Sequence, residues 1–104
     1  MSEEAPQAGT GVPAGAISKD LLIINKRGLH ARASAKFVQA VERFDAQVWV
    51  TRGGETVGGT SIMGLMMLAA GPGSTITVEA SGKEAAEVID AIESLIGGRF
   101  DEDD

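Results

Sequence analysis

Residues 25–38 read NKRGLHARASAKFV, and they join an extended pattern to a helical one. The apolar segment 20–24 leads into them and predicts a strand, which ends at the polar residues before Gly28, because glycine adopts turn conformations easily. Side chains at intervals of three and four then predict one face of a helix. These side chains are Ser34, Phe37, Val38, Val41 and Phe44. The single histidine of the chain, His30, therefore lies near the N-terminal cap of that helix.

The position of His30 suits a negatively charged group. The first backbone N–H groups of a helix have no intrahelical acceptors, and the helix dipole also favours an anion there. A phosphate on His30 would meet the backbone N–H groups of Ala31 and Arg32, and the Arg32 guanidinium fork matches phosphoryl oxygens. A surface or capping role for His30, with a solvated Arg32, is the alternative.

Composition limits the class of protein. A chain of 104 residues predicts one domain. The absence of cysteine excludes disulfides and thiolate metal sites, and one histidine argues against a transition-metal site, so we expect no cofactor and no metal. The sequence has no apolar run of membrane-spanning length and no signal-peptide pattern, which predicts a cytoplasmic protein.

Charge is unevenly distributed along the chain. Six acidic residues at the ends, Glu3, Glu4 and residues 101–104, account for the whole net charge of -6. Residues 19–52 contain seven Lys or Arg and three acids, whereas residues 53–100 contain two Lys or Arg and six acids. The positive half could steer an acidic protein or a phosphate donor, or both halves could be ordinary solvated faces. Without a strong basic excess or an aromatic platform, nucleic acid is an unsuitable partner.

The chain divides into three parts. Residues 1–16 lack periodicity and are rich in Ala, Gly and Pro, which predicts a flexible N-terminal extension. We expect the folded domain at residues 17–100 and an acidic C-terminal tail at residues 101–104.

A hairpin follows the first helix. Residues 47–51 alternate and contain β-branched side chains, which predicts a strand; residues 52–55 predict a turn and residues 56–57 a short returning strand. Within the first of these strands, Trp49 is interpreted as a half-buried sheet residue in preference to a binding platform.

Residues 60–71 predict a short helix with apolar side chains on every side. Because such a helix cannot bury all of its faces against a single core, some of these side chains should face solvent. If Leu65 and Leu68 point inward, the others form an exposed patch with flexible thioethers suited to docking. Its members are Ile62, Met63, Met66 and, as a further candidate, Met67. A fully buried helix is the alternative. Ser61 has the position of an N-cap, and a phosphate placed on it would add charge beside the patch.

The last third predicts a strand and a helix. Residues 74–80 alternate as a strand, and Ser81 with Glu84 has the form of a capping box. An apolar stripe then predicts a helix that ends at residues 97–98. The stripe consists of Ala85, Val88, Ile89, Ile92, Leu95 and Ile96. The order β-α-β-β-α-β-α predicts an α+β fold, an antiparallel or mixed sheet covered on one face by helices.

Two motifs carry a resemblance to a known family. Residues 28–32, GLHAR, resemble the active-site signature of the histidine-containing phosphocarrier (HPr) family of the phosphoenolpyruvate-dependent phosphotransferase system. Residues 60–64, TSIMG, resemble its regulatory-serine segment. The resemblance runs from about Ile17 to Phe100. It implies an open-faced β-sandwich with a four-stranded antiparallel sheet and three helices on one side.

The resemblance also implies a function. His30 would accept a phosphoryl group on Nδ1 from phosphorylated enzyme I and pass it to a histidine of an enzyme IIA, with Arg32 and the helix amides holding the phosphate. Ser61 would be a substrate of an HPr kinase/phosphorylase, and Ile62, Met63 and Met66 would belong to the docking surface. Such a protein is a monomeric carrier acted on by partner enzymes, and it is not itself an enzyme.

The sequence departs from the common family pattern at three positions. Ala33 stands where a proline usually follows the arginine, and Gln39 and Glu42 stand where many sugar-system carriers have basic residues. These features resemble carriers of a nitrogen-related or regulatory branch. The alternative function is a protein-binding adaptor that uses the Ile62, Met63 and Met66 surface without obligatory phosphotransfer. A free-standing enzyme would need a second acid/base group near His30, which the sequence pattern does not supply.

Overall fold

The computed structural model describes residues 12–13 and 15–102, in which strands and helices follow the predicted order. The strands are β1 (Ile17–Leu22), β2 (Gln47–Arg52), β3 (Glu55–Gly58) and β4 (Thr75–Ser81). The helices are α1 (Ala31–Glu42), α2 (Ile62–Met67) and α3 (Ala85–Gly97), and a tight turn at Arg99–Asp101 follows them.

The four strands form one sheet in the order β1-β4-β2-β3, and each neighbouring pair is antiparallel. Alternate residues of β2 and β4 are buried against the helices, as Val50 and its partner Val78 show. The opposite face is more exposed, and Trp49 lies there half-buried, as predicted. The α+β fold with an open-faced four-stranded sheet and three helices on one side is therefore confirmed.

Helix α1 buries the predicted face. Ser34, Phe37, Val38 and Val41 are all buried. The three apolar side chains belong to the core shared with the sheet and α3, and the Ser34 hydroxyl donates to the Leu29 carbonyl at 3.1 Å. The helix ends at Glu42, so Phe44 packs against the core from the loop that follows and not from the helix itself.

The first strand is displaced from its predicted position. β1 begins at Ile17 and ends at Leu22, because its pairing with β4 starts at Ile17 opposite Ala80. Beyond the strand, the Ile23 N–H donates to the Ser74 carbonyl at 2.8 Å, so the chain stays attached to the core edge up to the turn before α1.

The prediction of a capping box at the start of the last helix is wrong. Ser81 is the final residue of β4, where it pairs with Gln47, and the N-cap of α3 is Glu84. The Glu84 carboxylate instead accepts a hydrogen bond from the Asp45 backbone N–H at 2.7 Å. Sheet pairing holds Ser81 in the strand, three residues before the N-cap at Glu84, so its hydroxyl does not cap the helix.

The C-terminal turn is tied to the core. Phe100 is completely buried, and the Lys36 ammonium donates to its carbonyl at 2.7 Å. Arg99, Phe100 and Asp101 all have left-handed backbone, with φ of 57°, 54° and 61°. Such backbone costs about 1–2 kcal/mol per non-glycine residue. Burial of the Phe100 ring, at about 1.5–3 kcal/mol, offsets part of that cost.

The expectation for residues 1–16 falls largely on residues that lie outside the described ones, as does the end of the tail at residues 103–104. Within residues 12–13 and 15–102, the helices all lack the length and apolar character needed to span a bilayer.

The turn before α1 depends on Gly28. Its φ is +66°, and a Cβ added there would collide with the Ala70 carbonyl oxygen and come within 2.8 Å of the Gly71 Cα. The backbone of this turn therefore lies directly against the loop that follows α2, and a side chain at position 28 would push the two apart.

We expect Gly28→Ala to lower the free energy of unfolding by about 2–4 kcal/mol, because it adds a backbone clash to a left-handed φ. Urea denaturation measures this. Gly53→Ala is the matched control, since Gly53 also has a left-handed φ of +59° but open space around it; we expect a loss of about 1–2 kcal/mol there. Equal losses in the two variants would show that the contact with the loop contributes nothing.

Candidate functional site

The turn and a neighbouring loop fix the position of His30. The Leu29 N–H donates to the Ala70 carbonyl at 2.9 Å, and the His30 N–H donates to the Gly28 carbonyl at 2.9 Å. His30 then has the extended φ/ψ of -75° and -176° typical of an N-cap, but its side chain does not cap the helix. The imidazole is therefore available for other contacts.

The predicted phosphate donors lie at the same end of α1. The first helical hydrogen bond runs from the Ser34 N–H to the His30 carbonyl at 2.8 Å, so the N–H groups of Ala31 and Arg32 precede the helical ladder. Arg32 is exposed, and its side chain has no hydrogen-bond or ion-pair partner among residues 12–13 and 15–102. These groups are free to receive an anion beside His30.

The principal contact of His30 comes from the end of the chain. Its Nε2 lies 2.5 Å from Oε2 of Glu102, and the side chains are 19% and 13% exposed, respectively. A depression lined by Arg27, Leu29 and residues 69–71 adjoins the ring. The ring is neither sealed in the core nor fully solvated.

Asn25 links the turn to the same carboxylate. Its Nδ2 donates to the Gly28 carbonyl at 2.8 Å and lies 3.2 Å from both Glu102 carboxylate oxygens. All three partners are acceptors, which fixes the orientation of the amide. Asn25 is completely buried, and its Oδ1 has no partner in the described part of the chain. The Asn25 side chain thus uses its NH₂ group to bind the turn and the carboxylate, while its oxygen is buried without a partner among the residues that the structure describes.

The electrostatics of Glu102 assign the proton. Burial acts to raise the pKa of Glu102, but hydrogen bonds from His30 and Asn25, together with the electrostatic attraction of His30 and Arg27, outweigh burial and hold the pKa below its ordinary value. The carboxylate is therefore ionised at neutral pH and only accepts hydrogen bonds. The proton of the 2.5 Å contact then belongs to Nε2 of His30.

Sequence patterns did not reveal Asn25 or Glu102. The sequence pattern predicts only a polar turn at Asn25 and an acidic tail at Glu102. One signal was present: Phe100 is a large apolar residue directly before that tail, and such a residue usually finds a place in the core. A buried Phe100 limits how far the next two residues can travel.

The second motif forms a separate surface. Leu65 and Leu68 point inward, so the alternative of a fully buried α2 is wrong. The exposed side chains of this helix are Ile62 (40%), Met63 (73%), Met66 (42%) and Met67 (68%). Ser61 is exposed, and its Oγ accepts from the Gly64 N–H at 2.9 Å, which confirms its N-cap role. Helix α2 packs beside α1, so the two motifs occupy neighbouring elements.

Other candidate sites do not involve His30. A groove beside α1 and α3 is lined by Gln39, Glu42 and Leu95 among others, and His30 is not part of it. The described residues contain no group of three or more His, Asp or Glu side chains arranged to hold a metal ion.

Comparison with known proteins assigns the family. The family model described as "PTS HPr component phosphorylation site" matches residues 17–97, which include both motifs. The chain belongs to the HPr family of phosphocarrier proteins. Glu102 lies beyond the last residue matched by the HPr model.

Individual relatives agree with this assignment. The phosphocarrier protein HPr of Cupriavidus necator is 52% identical over 86 residues, which are 83% of this chain and 97% of that protein. The phosphocarrier protein NPr of Shewanella violacea is 38% identical over 86 residues, covering 83% and 94% of the two chains. The crystal structure of HPr-C-His from Thermoanaerobacter tengcongensis has a TM-score of 0.80 at 38% identity and covers 84% of this chain and 98% of that one.

We expect His30→Ala to raise the pKa of Glu102, because burial would then be opposed only by Asn25 and Arg27. Carboxyl ¹³C NMR during a pH titration measures this. Since the pKa of Glu102 is lowered in the folded state, the wild-type carboxylate stabilises the fold above its ordinary pKa of 4.5 and loses that contribution as pH falls through the lowered value. An unchanged pKa in the variant would contradict the contact with His30.

Proposed function

We propose that His30 accepts a phosphoryl group on Nδ1 from phosphorylated enzyme I, which obtains it from phosphoenolpyruvate, and passes it to a histidine of an enzyme IIA. The observation that carries this proposal is the position of His30 at the N-terminus of α1, within the segment matched by the HPr phosphorylation-site model. Relatives named phosphocarrier protein support the same role.

The local chemistry suits a carrier. A neutral imidazole with one unprotonated nitrogen is a nucleophile near neutral pH. The backbone N–H groups of Ala31 and Arg32, together with the Arg32 guanidinium, would bind the phosphoryl oxygens in both directions of transfer. The protein contributes position and charge, while the partner enzymes bring the second histidine into line with phosphorus. The protein is thus a substrate of its partners and not itself an enzyme.

The exposed face of α2, a helix that packs against α1, supports docking. Ile62, Met63 and Met66 form an apolar surface with flexible side chains, and Met67 extends it. Thioether side chains repack easily, so one surface would serve both enzyme I and enzyme IIA in turn. The carrier works as a monomer that presents this surface and His30 to one partner at a time.

Ser61 is the proposed site of regulation. It is exposed at the start of α2 and directly precedes the docking residue Ile62. An ATP-dependent HPr kinase/phosphorylase would add a phosphate carrying a charge of about -1.5 to -2 at this edge. That charge would weaken docking of partners that pack on an apolar surface.

We expect the wild-type protein to become labelled by ³²P-phosphoenolpyruvate and enzyme I, with acid-labile, alkali-stable phosphate. His30→Ala should take up no label, because the acceptor nitrogen is gone. Arg32→Ala should lower the rate of labelling about tenfold through loss of a charge-assisted hydrogen bond. Arg43→Ala, at the other end of α1, is the matched control. Label retained in His30→Ala would refute the acceptor assignment, and an unlabelled wild type would favour the adaptor.

With ATP and an HPr kinase/phosphorylase, we expect acid-stable phosphate on the wild type and none on Ser61→Ala. Thr60→Ala is the control, because it removes an exposed hydroxyl one residue away. Loss of the N-cap alone should cost about 1 kcal/mol, so thermal unfolding of Ser61→Ala must confirm a folded protein. Phosphate that persists in Ser61→Ala would assign the modification elsewhere.

A further inference from the structure

The C-terminal segment places a carboxylate against the back of the proposed phosphoryl acceptor. Oε2 of Glu102 lies 2.5 Å from Nε2 of His30, and the lowered pKa of Glu102 makes it an acceptor at neutral pH. Nε2 must then carry the proton, and a neutral ring with its proton on Nε2 keeps its lone pair on Nδ1. In the described part of the chain Nδ1 has no hydrogen-bond partner.

Three contacts keep this carboxylate in place. The completely buried Phe100 ring lies two residues before it, and Lys36 donates to the Phe100 carbonyl at 2.7 Å. Buried Asn25 donates to the carboxylate from the turn that also supports His30. The left-handed backbone at Arg99–Asp101 persists only because such contacts offset its strain. This arrangement leaves one polar atom of Asn25 unpaired within residues 12–13 and 15–102 and holds three residues in strained backbone. A free acidic tail would have neither cost.

We propose that Glu102 is a positioning residue for phosphoryl transfer: it holds the proton on Nε2 of His30 and thereby makes Nδ1 the attacking nitrogen. This inference rests on the proposed function. Glu102 lies outside residues 17–97, so the match to the family model does not include it. It touches the acceptor ring and not the phosphoryl group.

The transfer step is balanced without a further proton acceptor. The Nδ1 lone pair forms the new N–P bond, the N–P bond of the phosphohistidine donor breaks, and its electron pair returns to the donor nitrogen. The proton stays on Nε2, so the His30 ring becomes cationic as the bond forms. The Glu102 carboxylate stabilises that positive charge, and the onward transfer reverses each change.

The first test needs no phosphoryl transfer. In protein labelled with ¹⁵N in the histidine ring, chemical shifts above the pH of imidazole titration report which nitrogen carries the proton. We expect wild-type His30 to be protonated on Nε2 alone and Glu102→Gln to show a mixture of the two forms, because an amide both donates and accepts. A wild-type ring protonated on Nδ1, or an unchanged ring in Glu102→Gln, would overturn the inference.

The matched control is Asp101→Asn. This substitution removes the same charge at the residue next to Glu102, and the Asp101 side chain is 79% exposed. Asparagine also tolerates the left-handed φ of 61° at this position. We expect Asp101→Asn to give the wild-type ring spectrum. The same mixture in Asp101→Asn and Glu102→Gln would mean that general tail charge, and not the contact, sets the proton position.

The second test measures the rate of labelling of His30 by phosphoenolpyruvate and enzyme I. We expect Glu102→Gln to be slower than wild type by about tenfold, the effect of one charge-assisted hydrogen bond, with Asp101→Asn close to wild type. An equal rate in Glu102→Gln would overturn the positioning role even if its ring spectrum changes. A wild type that takes up no label would refute the proposed function instead, while the ring spectra would still decide whether Glu102 fixes the proton.

Discussion

The architecture of the site depends on the close approach of two backbone segments, the turn at Gly28 and the loop after α2. No side chain separates them, and the Leu29 N–H bonds directly to the Ala70 carbonyl. This contact sets where α1 begins and therefore where His30 projects. It also ties the first motif to the helix that carries the second, since residues 69–71 follow α2 within a few residues. A proposed acceptor and a proposed docking surface on different elements are thus held together by main-chain geometry.

The sheet and helices are encoded mainly by local pattern. The alternation in β2 and β4 and the apolar stripes of α1 and α3 predict the elements correctly, because each buries one face against a single core. The errors arise where pairing between distant segments overrides local preference. β1 is fixed by its register with β4, and Ser81 remains in the sheet instead of capping α3. The residues that pair in these two cases lie more than thirty positions apart in the chain, and no short window of sequence contains both partners.

As in the fold, the parts of the site that depend on local pattern were predictable, and the parts that depend on distant contacts were not. The position of His30 at a helix start and the exposed face of α2 follow from spacing within one segment. Glu102 and Asn25 do not, because their roles depend on contacts across the fold. The acidic residues at the C-terminus look uniform in the sequence, yet Asp101 is exposed and Glu102 is nearly enclosed. The buried ring of Phe100 and a left-handed backbone create that difference, and neither is visible in charge patterning.

The left-handed turn at Arg99–Asp101 also limits how this end of the chain can vary. One residue, Asp101, separates the Phe100 anchor from Glu102, so deletion of that single codon would direct a different side chain toward the imidazole. Exchange of one exposed side chain at Asp101 leaves that spacing intact. The number of residues between Phe100 and Glu102 is therefore more constrained in evolution than the identity of the residue between them.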